Sequence, residues 1–149
     1  MEPAKLDIPF VPSTAEKIRI MVKMANLQGG ERMADLGSGD GRVVIAFAKA
    51  GAIAQGFEAD PSRAMLGQKN IIVQGMEDVA RISEKNFWKA DLSEFNIITL
   101  FGITSMMKQM EKKLKKELKT GAKVISNTFI FPEWEPVQVE NNVYLYVKN

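Results

Sequence analysis

The 149-residue chain contains no cysteine and no histidine. Without cysteine there is no disulfide, no zinc finger, no Cys-ligated iron–sulfur cluster and no thiolate nucleophile. Without histidine there is no Ser-His-Asp triad, no imidazole acid–base catalysis and no His-rich metal site. Any chemistry must use carboxylates, lysine, tyrosine, hydroxyls, backbone groups or a bound cofactor, and no metal site is expected. Long apolar runs are missing too: no segment reaches the roughly 18 unbroken apolar residues of a membrane span. The first twelve residues hold three prolines and two acids, without the basic-then-apolar layout of a signal peptide. A net charge of +2 is too small to mark a nucleic-acid binder. A cytoplasmic protein with no membrane span is the expectation.

What is present reads as one α/β domain over 1–149. The apolar share of 46% suffices for a real core. Pro3, Pro9 and Pro12 predict an extended segment over 1–12. Ser13-Thr14-Ala15-Glu16 has capping-box spacing and predicts a helix to about Leu27, ended by Gln28-Gly29-Gly30. Strands are expected at 32–36, 53–58, near 80–83, 95–101 and 122–126. Helices are expected at 42–50, at 61–75 behind Asp60-Pro61, and at 105–119. The last helix has Met106, Met110, Leu114 and Leu118 as its inner stripe. Val137–Glu140 and Val143–Val147 alternate around Asn141-Asn142, as a hairpin does. This order predicts a doubly wound, mostly parallel sheet with an antiparallel C-terminal hairpin.

The sharpest local signal is Asp35-Leu36-Gly37-Ser38-Gly39-Asp40-Gly41, between a strand and a helix. Glycines let the chain turn tightly and let a ligand approach the backbone. The helix start behind them offers free N–H groups. Glu58 ends the next strand, 21 residues after Gly37. In a doubly wound sheet the two strand ends flank one crevice, where a carboxylate suits a pair of ribose hydroxyls. A dinucleotide fingerprint would place its third glycine at position 42, which is Arg; here it is Gly41. The loop is therefore G-x-G-x-G after an acid, and it resembles the first motif of class I S-adenosylmethionine-dependent methyltransferases. Asp35 would then hold the ligand's ammonium. In that Rossmann-like fold the turn Asn86-Phe87-Trp88 approaches adenine, with the Asn86 amide and the Phe87 ring as contacts; a plain core role for Phe87 and Trp88 is the alternative.

Further segments occur in one order along nearly the whole chain: Ile8-Pro9-Phe10-Val11-Pro12-Ser13, the loop 35–42, Asn86-Phe87-Trp88, Phe101-Gly102, the helix 111–118 and Phe129-Ile130-Phe131-Pro132-Glu133-Trp134. Together they resemble the small protein-lysine methyltransferase family, which includes broad-specificity archaeal enzymes and mitochondrial enzymes acting on the ATP synthase c-subunit. The resemblance implies a methyltransferase that uses S-adenosylmethionine and acts on the side-chain amine of lysine. It implies that Asp35, Gly37, Ser38, Gly39 and Gly41 form the cofactor loop and that Glu58 holds the ribose. It implies that Ser13 touches the methionine carboxylate, and that Phe101 and Gly102 lie where donor meets substrate, with Trp134 in the family's substrate-side segment.

Thr104, Ser126 and Asn127, near the ends of strands four and five, are candidates to orient an amine. No residue stands out as a base. The lysines at 112, 113, 115, 116 and 119 read as a solvated helix face, because Glu111 and Glu117 interleave them and no aromatic does. Expected partners are proteins with exposed lysines, the chain itself among them, and not nucleic acid; the chain is expected to be a monomer. The rival readings are a methyltransferase for a small molecule or nucleic acid, and a non-catalytic nucleotide-binding module.

Overall fold

A computed structural model describes residues 12–149, so nearly all of the predicted extended segment lies outside the described residues. Seven strands form one sheet in the order β3-β2-β1-β4-β5-β7-β6. They are β1 (Arg32–Leu36), β2 (Ile53–Glu58), β3 (Ala80–Glu84), β4 (Ile97–Leu100), β5 (Lys123–Asn127), β6 (Gln138–Glu140) and β7 (Val143–Val147). The first five run parallel; β7 lies antiparallel to β5, and β6 closes the hairpin. Asn141 and Asn142 sit at φ 48° and 58°, the left-handed pair that a two-residue hairpin turn needs. The fold class is as expected: Rossmann-like, doubly wound, with an antiparallel edge.

The strands alternate between two cores, as period-2 side chains must. Met33, Ile97, Ile125 and Leu145 point to one face, with α1 (Ala15–Ala25), α2 (Arg42–Lys49) and Ile71 of α3 (Pro61–Val73). Ala34, Ile98, Val124 and Tyr146 point to the other, with Met106, Met107, Met110 and Leu114 of α4 (Thr104–Glu117). Each large apolar side chain buried this way contributes roughly 1.5–3 kcal/mol.

Local chemistry moves several expected boundaries. Thr14, not Ser13, caps α1: its side chain accepts from the Lys17 N–H, so the box closing on Glu16 does not form. Ser13 Oγ instead accepts from Asn127 Nδ2 at 3.0 Å. Asn26 ends α1 at φ 48°, ahead of the glycine pair. Strand β4 is only Ile97–Leu100, shorter than the apolar run around it, because Phe95 belongs to the preceding turn and Phe101 to the site loop. Asp60 caps α3 by accepting from the Arg63 N–H, with Pro61 at the first position as read. Among the described residues no helix is long and apolar enough to cross a membrane.

Candidate active site

The carboxyl ends of β1, β2 and β4 meet where the strand order reverses, and a cavity of about 310 Å3 opens there. The turn after β1 builds one wall. Gly37, Gly39 and Gly41 all have left-handed φ, at 84°, 56° and 85°, which an L side chain would strain. Gly37 and Ser38 donate their N–H groups to the Phe57 carbonyl, locking the turn onto β2. From below, α3 meets the turn backbone to backbone. A Cβ on Gly41 would lie 3.2 Å from the Gly67 carbonyl, and one on Gly67 would lie 3.1 Å from the Gly39 carbonyl. Asn70 Nδ2 adds a hydrogen bond to the Asp40 carbonyl. Asp40 chelates Arg42, whose charge and hydrogen bonds hold the Asp40 carboxyl below its usual range.

Two buried carboxylates face the cavity. Glu58 Oε1 accepts from the Gly39 N–H at 2.8 Å and Oε2 from the Asp60 N–H at 3.0 Å, so one side chain ties together the loop, the end of β2 and the cap of α3. Arg63 Nε stands 3.4 Å from Oε2. Asp35, in β1, faces Thr99 of β4 and accepts a hydrogen bond from its Oγ1 at 2.8 Å. Burial is the main cause that pushes its carboxyl up to about 7; the Thr99 bond opposes this, and the nearby Glu58 and Asp40 charges add to it. Ser38 Oγ is buried with no hydrogen-bond partner among the described residues. A Cβ on Gly56 would collide with the Ser38 side chain, so glycine in β2 makes room for that hydroxyl.

Ser13, Asp35, Gly37, Ser38, Glu58, Phe87, Phe101 and Gly102 all line the cavity, as expected for a shared site. Other candidates stand elsewhere. Gly39 and Gly41 shape the loop from its far side. Asn86 Oδ1 accepts from the Trp88 N–H and caps a single 3-10 turn, so Phe87 reaches the cavity and Asn86 does not. Asn127 is buried behind Ser13, with its Oδ1 taken by Lys17 Nζ and Thr128 Oγ1. Thr104 is an exposed first residue of α4, and Trp134 packs on Phe131 and Tyr146 outside the cavity. Thr99, Gly56 and Gly67 escaped the sequence reading. Their signals were a lone hydroxyl inside β4 and glycines inside a strand and a helix.

The family model of the ANTKMT methyltransferase domain matches residues 35–138, from the loop acid to the hairpin. The chain belongs to that family. It is 39% identical over 135 residues to the human ATP synthase c-subunit lysine N-methyltransferase, a match covering 91% of this chain and 58% of that protein. It spans 53–61% of the length of the vertebrate relatives of that name. A protein-lysine N-methyltransferase of Saccharolobus islandicus is 34% identical over 150 residues, covering 94% of this chain and 93% of that one. A crystal structure described as an RNA methyltransferase from Salinibacter ruber, in complex with S-adenosyl-L-homocysteine, superposes with TM-score 0.88 at 30% identity, covering 92% and 93% of the two chains. The fold around the cavity is thus a methyltransferase fold.

At the far end the cavity is lined by Leu100, Phe101, Gly102 and Met106. A Cβ on Gly102 would lie 3.1 Å from Met106 Cε and 3.3 Å from Met107 Sδ, so the glycine keeps this end open. The Phe101 ring leans on Phe129 at 6.1 Å, and Ser126 Oγ donates to the Phe129 carbonyl. This end is apolar; the carboxylates stand at the other.

Proposed function

We propose that this chain transfers the methyl group of S-adenosylmethionine to the side-chain amine of lysine in proteins. The observation that carries the reading is the pair Asp35 and Glu58, two buried carboxylates facing one cavity beside the orphaned Ser38 hydroxyl. Glu58 has Arg63 beside it, but among the described residues Asp35 is buried with only the Thr99 hydroxyl as hydrogen-bond partner; burying a carboxyl without a cation is costly, and a ligand bearing an ammonium recovers that cost. The residues fit this cofactor. Asp35 attracts the amino end, Glu58 has lone pairs left for ribose hydroxyls, Ser38 offers an unused hydroxyl and Phe87 an apolar face.

When bound, the cofactor supplies a methyl group already activated on a positively charged sulfur. What remains for the chain is position and exclusion of water. Phe101, Leu100 and Met106 give the incoming amine an apolar surround, which disfavours its charged form. Among the described residues, the carboxylates lining the cavity, Asp35, Asp40, Glu58 and Asp60, come from β1, β2 and the loops after them, none from the Leu100–Met106 end. Proton loss from the amine therefore passes to solvent. Lysine as acceptor is supported by the names of the relatives at 39% and 34% identity. Some self-methylation, at the exposed lysines of the run 112–119, belongs to the same reading.

The test is incubation of the protein with methyl-labelled cofactor and a mixture of proteins and RNA, followed by mapping of the labelled residue. Methyl increments on lysine are expected. Label confined to RNA, the substrate type named for the Salinibacter enzyme, would overturn the acceptor assignment; label nowhere would leave a binding module.

A further inference from the structure

Helix α4 leads away from the apolar end of the cavity, and from Lys108 onward its exposed residues are all lysines. Over 104–119 there are six lysines and two glutamates, a surplus of four positive charges against +2 for the whole chain. Alternating signs on a helix normally neutralise each other along its surface. Here the glutamates are turned inward. Glu111 is buried, with Oε1 accepting from the Glu133 N–H and Oε2 from Lys115 Nζ. Glu117 Oε1 accepts from the Leu92 N–H while Oε2 pairs with Lys113. Both acids are spent on anchoring loops, and they engage Lys113 and Lys115 from the inner side. Among the described residues, Lys108, Lys112, Lys116 and Lys119 are exposed and meet no acid. At one helical turn apart, Lys108, Lys112 and Lys116 form a row about 12 Å long. It starts two residues, about 3 Å of helical rise, beyond Met106 of the cavity wall, on the outward side of the same turn.

We propose that this row is a docking surface for an acidic stretch next to the acceptor lysine, so that the preferred substrates are lysines flanked by clustered Asp and Glu. The inference rests on the lysine-methyltransferase reading and deepens it. An extended peptide covers about 12 Å with four residues, so an acidic cluster beside the acceptor matches the row while its lysine enters at Phe101 and Gly102. A protein partner fits better than nucleic acid. Trp134, which meets Lys115 on this helix, has its ring covered by Lys115 Nζ at 5.4 Å and packed on Phe131 and Tyr146, so it offers no open stacking platform. The row also repels a bare ammonium, and an acidic neighbour offsets that repulsion.

The experiment compares two peptides with one acceptor lysine, flanked by three glutamates or by three glutamines, at saturating cofactor. The acidic peptide is expected to have about tenfold higher kcat/KM at low salt, the combined size of three exposed ion pairs. The gain should lie in KM, with kcat unchanged, and should fade at high salt. In K108Q/K112Q/K116Q the two peptides should become equivalent, while kinetics on the glutamine peptide and affinity for S-adenosylhomocysteine stay as in the wild type. Anisotropy of the labelled acidic peptide reads the row even without turnover, so loss of methyl transfer and loss of docking are told apart. Equal kcat/KM for the two peptides in the wild type, or a preference that survives the triple substitution, would overturn the inference. So would an RNA oligomer or a phosphatidylserine vesicle that binds the row more tightly than the acidic peptide does.

Discussion

Asp35→Asn is expected to stabilise the ligand-free protein above pH 7 and to weaken its hold on a cationic ligand. The carboxyl titrates near 3.8 in the unfolded chain and near 7 in the fold, chiefly because it is buried. Between those values the folded state keeps a proton that the unfolded state has released, so stability falls by about 1.4 kcal/mol per pH unit. The proton-linked stability is complete below pH 3.8 and gone above about pH 7. Over that window the loss amounts to about 4 kcal/mol. Asparagine is neutral throughout, and its Oδ1 still accepts from Thr99. At pH 8 the variant should therefore exceed the wild type by up to about 4 kcal/mol, roughly 8–16 °C in Tm for a chain of this size. At pH 5 the gap should shrink to about 1–2 kcal/mol. A bound cation lowers the carboxyl again, so ligand binding to the wild type should release a proton near neutrality and strengthen as pH rises towards 8. Loss of that charge should cost about 10–100-fold in affinity at pH 8. Thermal unfolding without ligand, and calorimetry with S-adenosylhomocysteine, measure the two halves. A variant no more stable than the wild type at pH 8, or an advantage equal at both pH values, would refute the reasoning.

Three further outcomes follow from the same geometry. Glu58→Gln can satisfy only one of the Gly39 and Asp60 N–H groups as an acceptor, so it should lose about 1–3 kcal/mol of stability and about tenfold or more in cofactor affinity; unchanged calorimetric affinity would remove Glu58 from the ribose site. Gly67→Ala brings a Cβ to 3.1 Å from the Gly39 carbonyl and from Ile82 Cγ1, so a net loss of about 1 kcal/mol is expected in denaturant titration in spite of alanine's helix preference; a more stable variant with wild-type cofactor binding would show that the loop yields freely. The rate on a lysine peptide at saturating cofactor should climb from neutral into alkaline pH, because neutral lysine is scarce below its pKa of about 10.4; a plateau near pH 6–7 would mean that a carboxylate acts as base and that the proton does not pass directly to solvent.

The fold was legible because its punctuation is local. Asp60-Pro61, the hairpin's Asn141-Asn142 and the apolar strands each carry their own signal over a few residues. The loop and its acid at 58 were legible because backbone conformation and strand-end position follow from spacing. What stayed hidden depends on contacts between distant segments. Nothing near Ser13 announces that its hydroxyl is claimed by Asn127, 114 residues away, leaving the cap to Thr14. Asn86 looked like a ligand contact, yet the turn it begins needed its Oδ1 as a cap. The perturbed carboxyl of Asp35 arises from burial, with the Thr99 hydrogen bond working against it, and neither is visible in a motif.

The cavity draws its lining unevenly from the chain. Apart from Pro12, Ser13, Met21 and Phe87, the donor side comes from two segments, Asp35 to Val43 and Glu58 to Arg63, and the opposite end from Leu100 to Met106. The two are joined side by side through β1 and β4 and bridged by the Thr99–Asp35 hydrogen bond. Such a layout separates inheritance of the reagent from inheritance of the target. Substitutions after residue 100 can reshape the acceptor end while the segments between Asp35 and Arg63 keep the donor end as it is.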